Sequence, residues 1–201
     1  MFDKTTIVLA TNNQKKRKEF AVLLGDQLSM ACMADFQLES PAETGRTFVE
    51  NALIKAQYVA DKTQRPSLAD DSGLVVPVLK GAPGLYSARF AGPNASDDDN
   101  NLALIEILQR NGWPYVDAHY HCTLVFVQHG ADPDPIIAQG RWFGRIYPQA
   151  SGQNGFGYDP LFYVGPDYKQ SAGEMDPARK AAISHRGIAI HQLQQQLALH
   201  A

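Results

Sequence analysis

The chain has 201 residues, 44% of them hydrophobic and 19% charged, with a formal net charge of −3 at pH 7. That is enough to bury a real core as one domain, or as one domain with two lobes, without any stapling device. The negative balance excludes a general attraction to nucleic acid, which needs a strongly basic domain or stripe, but it leaves room for a small anion in a local positive pocket.

Cys32 and Cys122 are the only cysteines and lie far apart, without the paired spacing of a zinc site, so free thiols in a reducing compartment are expected. The N-terminal residues show no charged segment followed by an apolar run and a small-residue cleavage site, and no stretch approaches the length of a membrane span. The expected location is the cytoplasm, with no membrane partner.

Residues 5–10 form a short apolar, β-branched run of the kind that makes a buried strand, and it stops at the turn-forming pair Asn12 and Asn13. Residues 15–24 read as a helix with a basic start. Strand, tight polar loop and basic helix start together let loop amides and the helix N-terminus face one point, where a phosphate can be held. A solvated basic helix is the alternative.

Thr47-Phe-Val-Glu50 is a capping box that opens a helix reaching about residue 62, with Phe48, Ala52, Ala56 and Val59 on one apolar stripe. Residues 67–69 approach Asp70-Asp-Ser-Gly73, and a further strand is expected over 74–79. Two adjacent carboxylates at a strand end, before a glycine that permits a sharp turn, suit a hard cation held by oxygen ligands. Successive strand side chains point to opposite faces, so both acids reach one metal only if the chain bends there. An Asp-rich turn is the plainer reading.

A second helix starts near Ser96, with Asp97, Asp98 and Asp99 in its first turn, where helix capping is favoured over a metal cluster. Residues 115–129 and 136–147 alternate and form a long hairpin across a turn at 130–135. His119 and His121 share a face of its first strand. No carboxylate sits near them in sequence, so a partly exposed strand face is favoured over a metal site.

Phe156-Gly-Tyr-Asp-Pro160 follows in a glycine-rich stretch, where a ring beside glycines either stacks on a flat base or closes a structural turn. Residues 176–199 are helical with a break near Ser184-His-Arg-Gly187. Lys180, His185 and Arg186 offer donors for an oxo group or a phosphate, or else form a charged helix end. Early strand–helix alternation followed by a hairpin gives an α/β class with a mixed sheet.

Thr11-Asn-Asn-Gln-Lys-Lys16, Glu43-Thr-Gly-Arg-Thr-Phe-Val-Glu-Asn-Ala52, Ala69-Asp-Asp-Ser-Gly-Leu74, Gly81-Ala-Pro-Gly-Leu-Tyr-Ser-Ala-Arg89, Phe156-Gly-Tyr-Asp-Pro160 and Ser184-His-Arg186 together resemble the inosine triphosphate pyrophosphatase family. This is the Ham1/RdgB group of house-cleaning nucleotidases, and the chain resembles its bacterial branch. The blocks run in the family's order over nearly the whole chain, departing at Asn12, where that branch commonly has glycine. The resemblance implies one domain over residues 1–201, with an elongated mixed sheet flanked by helices, and two lobes with the active site in the cleft between them. It implies hydrolysis of inosine- and xanthosine-type triphosphates to monophosphate and pyrophosphate, with Mg2+ as cofactor, a small-molecule purine nucleoside triphosphate as partner and a homodimeric state.

Carried over by position, the resemblance gives the triphosphate to Thr11, Asn13 and Lys16 and counts Asn12, Gln14 and Lys15 among the substrate-binding residues. It makes Asp71 the catalytic carboxylate, sharing the metal with Glu43, and sets Ser72 against substrate. Phe156, Gly157, Tyr158, Asp159, Lys180, His185 and Arg186 line the nucleotide site. Donors there would match the 6-oxo acceptor of hypoxanthine and xanthine and face an unpaired group with adenine. The Ser184-His-Arg186 block argues against the related Maf group acting on pyrimidine triphosphates. The presence of Glu43, Asp70 and Asp71 argues against a nucleotide sensor without turnover.

Overall fold

Three strands of the first part of the chain, β1 (Ile7–Leu9), β2 (Met30–Cys32) and β3 (Ser67–Val75), alternate with two helices, α1 (Gln14–Leu24) and α2 (Phe48–Thr63). The computed structural model describes residues 6–24 and 29–199, so Thr5, the expected start of the first strand, lies outside the described residues. After β3 come α3 (Asp97–Arg110), β4 (Val116–Val127), β5 (Ile136–Ile146), β6 (Phe162–Val164) and β7 (Gln170–Ser171). Helices α4 (Pro177–Ile183) and α5 (His185–Leu199) close the chain. The strands form one seven-stranded sheet in the order β2-β1-β3-β4-β5-β6-β7. It is mixed: β1 runs parallel to β2 and β3, whereas β6 runs antiparallel to β5 and β7.

The chain forms two compact units, the first of Met1–Asp71, Cys122–Gly140 and Arg186–Ala201, the second of Ser72–His121 and Arg141–His185. In the first unit the sheet is covered on both faces, as the continuous apolar run of β1 requires. Ile7, Leu9, Leu68, Cys122 and Leu124 pack against Phe20 and Leu24 of α1 and Ala189, Ile190 and Leu193 of α5. On the other face Val8, Ala10, Ala69, Val125 and Val127 meet Ala52, Ala56, Val59 and Ala60 of α2. Neighbours in β1 and β3 therefore alternate between two cores.

In the second unit Val116, Ala118, Tyr120, Trp142 and Ile146 face inward onto Leu104 and Leu108 of α3 and onto Tyr158, Leu161 and Phe162. The alternate residues Asp117, Arg141 and Phe143 are exposed. This is the inward–outward period that the hairpin sequence predicts. The two hairpin strands are sheet neighbours joined by eight residues, too short a link for a parallel crossover.

The capping box expected at Thr47 forms, with Thr47 Oγ1 accepting from Glu50 N, and Ser96 Oγ likewise accepts from Asp99 N, so Asp99 of the acidic triplet helps to cap its helix. The break in the last helical segment falls at Ser184, whose extended backbone ends α4 before α5 begins at His185. One sequence expectation needs correction. Residues 67–75 are a single strand, and 77–79 form a 3-10 turn instead of continuing it. Gly73 makes no sharp turn. A Cβ there would lie 2.3 Å from the Gly84 carbonyl oxygen and 2.6 Å from Ser87 Oγ, so glycine is needed for close approach.

Leu104 is fully buried under the second unit's sheet. Leu104→Ala is expected to destabilise that unit by about 3 kcal/mol, read as a lowered denaturant midpoint.

Candidate active site

The unbroken strand β3 decides where the paired acids go. Leu68 and Asp70 leave on the face covered by α1 and α5, while Ala69 and Asp71 leave on the face covered by α2. Each carboxylate therefore bonds directly to its own ammonium, Asp70 to Lys16 and Asp71 to Lys55.

Asp71 meets α2. Its Oδ1 accepts from Lys55 Nζ at 2.8 Å, and the same ammonium donates to Glu43 Oε1 at 3.1 Å. Burial opposes the charge on Lys55, but Asp71 and Glu43 outweigh it and raise its pKa. For Asp71 the balance falls the other way. Burial raises its pKa despite the opposing pull of Lys55. Glu43 sits in a loop tied down by Gly45 N, which donates to the buried Asn51 Oδ1 at 2.8 Å, and a Cβ on Gly45 would lie 2.6 Å from that oxygen.

Lys55 was missed from the sequence, although a signal existed. It lies three residues after Ala52 and four before Val59, on the apolar stripe of α2. A lysine is almost never buried there without an acidic partner.

Asp70, with no exposed side-chain surface, is held by Lys16, Arg186 and Cys122. Lys16 Nζ pairs with Oδ1, and Arg186 Nε and Nη2 each reach Oδ2 at 3.1 Å. The Cys122 thiol donates to Oδ2 at 3.2 Å. Burial alone would raise the Asp70 pKa, but the guanidinium of Arg186 and the ammonium of Lys16 hold it far below the usual carboxylate range. Arg186 Nη1 also pairs with Glu19 of α1. The side chain expected at the base thus has its guanidinium on two carboxylates of the first unit.

At the start of α1, Thr11 Oγ1 accepts from Asn13 N at 3.2 Å. Asn13 Oδ1 accepts from Lys15 N at 2.9 Å and Lys16 N at 3.1 Å. Asn13 is therefore the helix cap, occupying amides that the sequence offered to phosphate. Asn12 Nδ2 reaches Leu38 O and Ser40 Oγ at 3.4 Å, while Gln14 and Lys15 are exposed and Lys16 is half-buried.

In the second unit, Lys180 Nζ pairs with Asp159 Oδ2 at 2.5 Å and lies 5.2 Å from the Phe156 ring centroid. Asp159 Oδ2 also accepts from Phe156 N at 2.7 Å. Gly155 (φ +79) permits that approach, since a Cβ would lie 2.1 Å from this oxygen. Gly157 (φ +63) presents its carbonyl to Asn101 Nδ2 at 3.0 Å. Tyr158 is a core residue whose hydroxyl donates to Ser87 O at 2.9 Å. The His185 ring stacks on Tyr120 with centroids 4.7 Å apart, and Ser72 is partly exposed.

His119 packs against the Phe143 ring at 5.3 Å. Burial and Arg141 push the His121 pKa down to about 4. No group of three or more His, Cys, Asp or Glu able to hold a metal occurs among the described residues. Cys32 and Cys122 are both free and buried.

Known proteins match this arrangement along nearly its full length. The chain is 50% identical over 194 residues to a dITP/XTP pyrophosphatase of Vibrio parahaemolyticus, covering 95% of this chain and 96% of that protein. It is 46% identical over 185 residues to a dITP/XTP pyrophosphatase of Salmonella typhimurium, covering 92% and 93%. Among solved structures, a HAM1 protein from Coxiella burnetii superposes with a TM-score of 0.88 at 42% identity, covering 96% of this chain and 98% of that one. The Staphylococcus aureus Ham1 protein superposes with a TM-score of 0.85 at 36% identity, covering 98% and 100%. The sequence profile of the Ham1 family matches residues 7–196, and the chain belongs to that family.

Proposed function

We propose that the chain hydrolyses deaminated purine nucleoside triphosphates, ITP, dITP, XTP and dXTP, to the monophosphate and pyrophosphate, and so removes them from the nucleotide pool. The observation that carries the reading is the convergence of Asp71 and Glu43 on one positive centre, the Lys55 ammonium. Two carboxylates that already share a cation, one of them in a partly exposed loop, form a hard oxygen donor set that fits Mg2+. Glu43 and Asp71 would hold Mg2+, which would supply charge neutralisation at the phosphates and orientation of a water.

The chain's own groups supply the rest. Asp71, made more basic by burial, takes the proton of the attacking water as the new P–O bond forms and the bond to pyrophosphate breaks. Lys55 holds that carboxylate in place. Lys16, the half-buried cation at the start of α1, offers its charge to the phosphates. Attack at the α or the β phosphorus gives the same products. Base recognition is assigned to Lys180 and His185 with the Phe156 ring, whose donors suit a 6-oxo acceptor. The enzyme acts in the cytoplasm, as a homodimer, on free small-molecule triphosphates.

With Mg2+, pyrophosphate release from ITP, dITP and XTP should exceed that from ATP by at least about tenfold, the order of one unmatched buried polar group. Equal cleavage of ATP rejects the base assignment. Asp71→Asn should lower kcat by roughly 10²–10⁴-fold with the melting temperature retained. Lys180→Ala should narrow the ratio of kcat/KM for ITP over ATP, whereas Lys16→Ala should lower both by a similar factor.

A further inference from the structure

The ring assigned to the base, Phe156, stands between two glycines in left-handed backbone, Gly155 at φ +79 and Gly157 at φ +63. A Cβ on Gly157 would meet nothing within 4 Å, so that glycine serves its backbone angle and not a close approach. Glycine takes positive and negative φ about equally, and a segment with two of them keeps one shape only where other groups hold it.

Two of the holding bonds come from the second unit. Tyr158 Oη donates to Ser87 O at 2.9 Å, and Asn101 Nδ2 on α3 donates to the Gly157 carbonyl at 3.0 Å. Asn100, beside Asn101, ties the Ser87 segment to α3: its Oδ1 accepts from Ala91 N at 2.8 Å and its Nδ2 donates to Ala88 O at 3.2 Å. Both ends of the Asn100 amide are used, and local structure accounts for that residue.

Asn101 differs. It lies three residues before Leu104 and seven before Leu108, on the stripe of α3 that enters the second unit's core, and it is 8% exposed. Its Nδ2 must face the Gly157 carbonyl, because the flipped amide would set oxygen against oxygen. The Oδ1 is then left buried with no hydrogen-bond partner among the described residues. A buried acceptor without a donor costs stability, and a leucine of similar shape would carry no such penalty. Gly157 is partly exposed, so water can take its carbonyl if Asn101 is replaced. Stability therefore disfavours asparagine here, and the bond that Asn101 makes goes to the loop carrying Phe156.

We propose that Asn101 is a positioning residue for base recognition: it holds the Gly157 carbonyl, and through it the Phe156 ring, in the arrangement that receives the purine. The proposal rests on the assignment of the Phe156 loop to the base.

Asn101→Leu removes the bond and the orphaned oxygen together. A loop in place for only a fraction of the molecules lowers apparent affinity by that fraction. With Mg2+ and IMP formation as the readout, KM for ITP should rise about fivefold, the order of one neutral hydrogen bond, while kcat is retained. The melting temperature should be retained or raised. Inorganic tripolyphosphate, which has no base, should inhibit the variant and the unmodified protein with the same Ki. A merely structural role predicts a lower melting temperature, with KM and Ki rising together.

An unaltered KM overturns the proposal, and so does a rise in KM matched by the tripolyphosphate Ki. Should Asn101→Leu fail to fold, Asn101→Ala decides by the same two constants. If the unmodified protein forms no IMP from ITP, the function proposed above fails and this inference with it. Equal KM for ITP in an active unmodified protein and in the variant overturns this inference alone.

Discussion

Successive side chains of a strand leave on opposite faces, and β3 carries two acids in succession through its centre. Neither can escape to water: the Asp70 side chain is fully buried and that of Asp71 is 10% exposed. An uncompensated buried carboxylate costs several kcal/mol, so each face of the sheet must bring its own cation. The α2 face brings Lys55, and the α1 and α5 face brings Lys16 and Arg186. The placing of three helices in the first unit is thus tied to the placing of two charges. Ala52, Ala56 and Val59 position α2, but Lys55 fixes which turn of that helix lies over Asp71.

The same alternation separates the two acids chemically. Burial raises the pKa of Asp71 in spite of Lys55, while cations, Arg186 and Lys16 foremost, hold Asp70 far down. Pairs of titratable groups whose surroundings drive them apart take different roles. Asp71, next to the partly exposed Glu43, is the acid to which the proposed function gives the proton of the attacking water. Asp70 stays a fixed negative charge throughout and serves to hold its neighbours.

Much of this was legible in the sequence, because local rules carried it. The boxes at Thr47 and Ser96, the hairpin period and the break at Ser184 all follow from side-chain chemistry acting over a few residues. Pairing Glu43 with Asp71 came from family resemblance, and the structure places both on one ammonium. Where local rules misled, tertiary contacts had overridden them. Asp and Gly are depleted in strands, so the Asp70 to Gly73 run read as a strand end. Cations brought from residues 16, 55 and 186 make it the middle of one. Asn13 was expected to help hold phosphate, and its side-chain oxygen caps α1 through the amides of Lys15 and Lys16. Lys55 escaped notice because a helix stripe is read for its apolar members, and the exception among them was the informative residue.

Lys16, Lys55 and Lys180 share a further property: each already sits on a carboxylate, Asp70, Asp71 with Glu43, and Asp159. Holding a long side chain in one geometry costs rotamer entropy, and folding meets that cost before substrate arrives. A cation so placed needs little reorganisation when charge develops beside it, which is the condition under which electrostatic stabilisation is most effective. For Lys16 in the role proposed for it, phosphate must compete with Asp70 for the ammonium, and that competition eases as negative charge accumulates on a departing pyrophosphate, which favours the transition state over the bound substrate.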